Sequence, residues 1–71
     1  MNKFLGQISE IFENTPKEQI SLNSKFKSFD EWDSLMALSL IAMFDSEYNV
    51  KLSGDQIRAA NTLEDLYKKT L

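Results

Sequence analysis

The chain has 71 residues, 42% of them hydrophobic and 27% charged, with a net charge of −3. That is one small domain, residues 1–71, with enough apolar content to fold. It has no cysteine and no histidine, which excludes a disulfide framework, a thiolate metal centre and an imidazole-activated nucleophile. No apolar run approaches the ~20 residues of a membrane span. The start, Met1-Asn2-Lys3-Phe4-Leu5-Gly6-Gln7, lacks the apolar core of a signal peptide, so a soluble, cytoplasmic protein is expected.

Phe4, Leu5, Ile8, Ile11 and Phe12 recur at helical spacing. They predict a first helix from about Asn2 to Glu13, ended by Asn14-Thr15-Pro16 because proline disfavours helical geometry in the residue before it. The segment from Asn14 to Asp33 is long for a connection. Ile20, Leu22, Phe26 and Phe29 can anchor it to the core while the Lys, Ser and Asn between them stay wet.

A second helix is predicted from Asp33 to Tyr48. Leu35, Leu38, Ile41, Phe44 and Tyr48 follow steps of three and four, and Leu40 and Met43 widen the apolar surface. Such a helix contacts more than one neighbour or leaves an apolar strip exposed. A short third helix follows from its capping chemistry. Ser53 and Gln56 have capping-box spacing, and Leu52 and Ile57 stand at staple positions across the same turn. The fourth helix starts at Asn61 or Thr62 and shows Leu63, Leu66 and Tyr67 on one face. Its Glu64 and Asp65 precede Lys68 and Lys69, which suits the helix dipole and sets up two i,i+4 pairs. The fold expected is all-α.

The most informative stretch is Phe29-Asp30-Glu31-Trp32-Asp33-Ser34-Leu35-Met36. An acidic turn ends where an apolar helix begins. Asp33 suits the N-cap, where its carboxylate can accept from free backbone N–H groups. Ser34 then occupies the first helical position, where unpaired N–H donors and the dipole favour an anion such as a phosphate. No base is available to activate the hydroxyl, so Ser34 reads as a residue that another enzyme modifies. The carboxylates around it, Asp33 included, could hold Mg²⁺ during such a transfer, since Mg²⁺ favours a few carboxylates plus substrate phosphates. No resident metal is expected. Trp32, Leu35 and Met36 offer an apolar edge to a partner.

Between Lys27 and Lys51 there is no Lys or Arg, and that interval contains Asp30, Glu31, Asp33, Asp45 and Glu47. The resulting field repels nucleic acid and attracts basic protein surfaces. Asp45 and Glu47 are therefore further candidates for partner recognition.

Asp33-Ser34-Leu35 opening an apolar helix resembles the phosphopantetheine attachment site of the acyl carrier protein family. The resemblance runs along nearly the whole chain, through Phe26 in the long loop, Asp45-Ser46-Glu47-Tyr48, Val50-Lys51-Leu52 and Asn61-Thr62-Leu63-Glu64-Asp65-Leu66. It implies a four-helix bundle with a long first loop and a short third helix. It implies that Ser34 bears covalent 4′-phosphopantetheine, whose thiol holds an acyl or aminoacyl group as a thioester. The partners implied are a phosphopantetheinyl transferase, an acyl- or aminoacyl-loading enzyme and a downstream synthase or transferase. A monomer without catalytic activity of its own is expected.

There are departures from the pattern of fatty-acid carriers. Glu31 and Trp32 fill a place where glycine and small residues are usual. Met36 and Ser39 stand where acids are common, Ser46 interrupts the acidic end, and Arg58 brings positive charge into the third helix. These point to a carrier dedicated to one specialised biosynthetic pathway. Phe44, Tyr48 and Ile57 crowd the space in which such carriers shelter acyl chains, so short or polar cargo is expected. The competing class is an unmodified helical interaction module that binds a basic partner through the acidic face of the second helix.

Overall fold

The computed structural model describes residues 3–71, and among them there are helices and turns but no strand. Four α-helices follow in order: α1 Lys3–Ile11, α2 Ser34–Tyr48, α3 Gly54–Ala59 and α4 Leu63–Tyr67. This is the all-α architecture expected, with a long first connection and a short third helix.

Phe4 and Ile8 form the buried side of α1, and Phe12, directly after it, is buried as well. The helix stops two residues before the predicted Glu13. The Thr15 N–H bonds to the Phe12 carbonyl at 3.0 Å and turns the chain ahead of Pro16. The predicted start at Asn2 lies outside the described residues.

Residues at both ends of α1 show how it lies. Phe4 meets Phe44 edge-on with ring centroids 5.9 Å apart, while Phe12 stacks on Trp32 at 6.3 Å. The start of α1 thus faces the end of α2, and its end faces the start of α2, so the two run antiparallel. Two polar contacts join the same pair. Gln7 Nε2 donates to Glu47 Oε1 at 2.9 Å, and the Tyr48 hydroxyl donates to Gln7 Oε1.

The connection from α1 to α2 contains two short 3-10 turns, Lys17–Gln19 and Phe26–Ser28. Ile20 and Phe26 are buried, and Leu22 and Phe29 are half-buried against the core. The loop also completes another element. The Ser24 carbonyl accepts from Leu63 N at 3.0 Å, and the Leu22 carbonyl accepts from Glu64 N at 2.8 Å. These are free donors of the first turn of α4, which would otherwise need water or side chains.

Caps set the remaining boundaries. Asn49 ends α2 in the left-handed region, with φ 55° and ψ 38°. Asparagine tolerates that region better than most residues. Ser53 and Gln56 close a capping box at the start of α3. A second box, Thr62 with Asp65, starts α4.

That second box changes one expectation. Among the described residues neither Glu64–Lys68 nor Asp65–Lys69 closes to an ion pair; the pairs formed are Lys51–Asp45 and Arg58–Asp55. The Asp65 carboxylate turns back to the N–H groups of Asn61 at 2.8 Å and Thr62 at 3.1 Å. Charge-assisted bonds to free helix donors outweigh a solvated lysine contact, which contributes only a few tenths of a kcal/mol. Those bonds hold the Asp65 carboxyl below its ordinary pKa, with a smaller attraction from Lys68.

Candidate functional site

Ser34 is the first residue of α2, and it is exposed. The turn before it is built from both kinds of side chain. Trp32 is half-buried, stacked on Phe12 and edge-on to Phe26 at 5.2 Å. Its indole anchors the end of the loop to the core. Asp33 follows in extended backbone, with φ −160° and ψ −175°, and its Oδ1 accepts from Met36 N at 2.9 Å. The bond pins the first turn of α2, so the hydroxyl-bearing residue is presented from a rigid frame to solvent.

The acidic turn is less free than its composition suggests. Asp30 and Asp33 are exposed, but Glu31 is half-buried and accepts a hydrogen bond from the buried Thr15 hydroxyl. That contact ties the end of α1 to the residues ahead of Ser34. Among the described residues no group of three or more Asp and Glu side chains is placed to hold a metal ion.

The other candidate residues separate along α2. Leu35 is 71% exposed, while Met36 is half-buried against the core. Asp45 and Glu47 are exposed near the far end of the helix. Asp45 pairs with Lys51 at 2.9 Å, and Glu47 accepts from Gln7. An open groove of about 580 Å³ lies between α1 and α2 at this far end, lined by Gly6, Gln7, Glu10, Met43, Ser46 and Glu47 among others.

The periodicity put Leu38 with Phe44 on a common apolar face. In the structure Leu40 and Phe44 are buried, whereas Leu38 is 61% exposed and Ala42 is also exposed. From Leu35 to Phe44 every residue except Ser39 is apolar, so spacing alone could not say which side meets the core. The neighbouring aromatic rings decide it.

A phosphodiester on the Ser34 oxygen suits this place. It would stand in solvent at the positive end of a 15-residue helix, where negative charge is stabilised by the dipole. The chain matches the family described as "phosphopantetheine attachment site" over residues 2–69. It therefore belongs to the phosphopantetheine-binding carrier family. The chain is a carrier and not a catalyst, and its cofactor is covalently attached 4′-phosphopantetheine. No curated protein and no solved structure matches it. No helix among the described residues is long and apolar enough to cross a membrane.

Proposed function

We propose that Ser34 is the attachment residue. The protein would hold an acyl or aminoacyl intermediate there, as a thioester, and present it to the enzymes of a specialised biosynthetic pathway. The observation that carries this reading is the exposed position of Ser34 at the first residue of α2, behind an Asp33 cap, within a chain that matches the family almost end to end. The group supplies a thiol on a long tether, which gives each docked active site a high local concentration of cargo.

The roles of the chain's own residues follow from their positions. Ser34 supplies the oxygen that joins the arm. Asp33 keeps the first turn closed and can meet a transferase-bound Mg²⁺ with a carboxylate oxygen. Trp32 holds the turn against Phe12 and Phe26 and acts on partners through the shape it gives that turn. Leu35 and Met36 lie next to the hydroxyl, and Asp45 and Glu47 add charge at the end of the helix. The partners are a phosphopantetheinyl transferase, a loading enzyme and a consuming synthase or transferase, each bound weakly so that the carrier can leave.

The test uses the purified chain, coenzyme A, Mg²⁺ and a broad-specificity phosphopantetheinyl transferase. Intact mass should rise by one arm, and Ser34→Ala should abolish the gain while circular dichroism stays helical. No gain with several transferases would overturn the assignment and favour the unmodified interaction module. A gain retained in Ser34→Ala would place the arm elsewhere.

A further inference from the structure

Thr15 is the one polar residue buried among the described residues. Its N–H bonds to the Phe12 carbonyl at 3.0 Å, which fixes it in the turn that ends α1. Its hydroxyl donates to Glu31 Oε2, sixteen residues further on. A buried hydroxyl left unpaired is costly, so this contact is held closed by the penalty of opening it. Among the described residues no buried side-chain nitrogen or oxygen lacks a partner.

Glu31 belongs to the turn that delivers the chain to Ser34. Trp32 N donates to the Phe29 carbonyl at 3.0 Å and closes that turn. Phe12 lies against it from the α1 side, edge-on to Phe29 at 5.2 Å and stacked on Trp32 at 6.3 Å. Apolar burial is non-directional, whereas a hydrogen bond fixes both a distance and an angle. The rings therefore hold the turn against the end of α1, and the Thr15–Glu31 bond sets its register there.

Ser34 follows three residues after Glu31 and is exposed, so its place is set by the backbone on either side. On the helix side, the Asp33 cap ties the first turn of α2 to Asp33 itself, which is also exposed. On the loop side, the tie to the rest of the molecule runs through Trp32 and Glu31.

We infer that Glu31 is a positioning residue for arm transfer: held by the buried Thr15 hydroxyl, it fixes the entry into α2 and hence the place from which the Ser34 oxygen meets the transferase. The inference rests on Ser34 being the attachment residue. Thr15 separates this role from direct contact between Glu31 and a partner. A buried hydroxyl is out of a partner's reach, so in the folded protein its loss acts on transfer through Glu31.

The test measures kcat and KM for the carrier in arm transfer by a broad-specificity phosphopantetheinyl transferase with coenzyme A and Mg²⁺, alongside circular dichroism and a urea midpoint for each variant. Glu31→Ala should lower kcat roughly ten- to a hundredfold, up to the cost of displacing a reacting group by about 1 Å, and leave KM within about twofold. Thr15→Val keeps the shape, removes the donor and should lower kcat to the same degree. The double variant should be no slower than either single one, because both remove one contact. Glu31→Gln keeps an acceptor oxygen and Thr15→Ser keeps a donor, so each should restore kcat to within about threefold. A lower urea midpoint in Glu31→Ala with kcat unchanged makes the tie structural only and overturns the inference. So does an equal loss in Glu31→Gln and Glu31→Ala with Thr15→Val unaffected, which assigns the effect to the carboxylate charge. Should Thr15→Val fail to fold, the two Glu31 variants decide, and equal kcat in both overturns the inference. Each of these outcomes leaves arm attachment intact, whereas absence of transfer to the parent chain strikes at Ser34 and removes the inference with it.

Discussion

In the proposed site Ser34 and Asp33 divide the work. One presents an oxygen, and the other holds the backbone that presents it. The cap bond to Met36 N is the kind whose loss costs about 1 kcal/mol. A domain of this size has only ~3–5 kcal/mol of net stability, so Asp33→Ala should lower the urea midpoint clearly without unfolding the chain. Arm transfer to that variant should slow because the first turn of α2 frays. An unchanged midpoint would show that the Asp33 carboxylate contributes nothing to holding the turn. The positions of both residues, a capping acid and the first helical residue after it, were legible in the sequence because they directly precede an apolar run. The tie between Glu31 and Thr15 was not legible. It joins residues that are distant in sequence through a loop whose path depends on where Ile20 and Phe26 enter the core.

At the level of elements, caps and breakers proved more informative than periodicity. Pro16 and the Ser53–Gln56 box placed their boundaries to within a residue or two, because each acts through local backbone geometry. The apolar run of α2 misled about Leu38, since a helix that is greasy on most sides carries no directional signal. The loop carbonyls of Leu22 and Ser24 that complete α4 had no signature at all, because a backbone acceptor can come from any residue type. The Thr62–Asp65 box makes a titration prediction. Folding lowers the Asp65 pKa from its ordinary 3.8, chiefly through the N–H groups of Asn61 and Thr62. The stabilisation is then fully present above that ordinary value and is lost as pH falls through the lower folded value. Asp65→Asn should flatten the acid limb of melting temperature against pH in that window and leave its shape near neutrality unchanged. An acid limb identical to that of the parent chain would contradict the assignment.

Across the whole molecule, a core of buried aromatic rings positions the start of α2. Phe4, Phe12, Phe26 and Phe44 are all fully buried, and Leu40, Leu63 and Leu66 fill the space between them. Phe44 and Ile57, which were expected to crowd the space behind α2, are both buried. Tyr48 is half-buried and held by its hydroxyl bond to Gln7. An acyl chain entering such a core would have to displace close-packed rings, which native packing density opposes. Short or polar cargo riding outside the bundle is the reading we favour. Amide chemical shifts of the loaded protein should then change near Ser34 and remain nearly constant along the buried side of α2 and along α3 as the acyl chain lengthens. Large, length-dependent shifts at Phe44 and Ile57 would instead show a chain entering the core.

The proposed carrier role depends most on which oxygen bears the arm. The chain has eight serines, at 9, 21, 24, 28, 34, 39, 46 and 53, so mapping is unambiguous in principle. The modified protein is digested and the arm located by fragment-ion masses of the peptide spanning Phe29 to Met36. The arm is predicted on Ser34 and on no other residue, whereas an arm on any other serine, with Ser34 unmodified, would contradict the account.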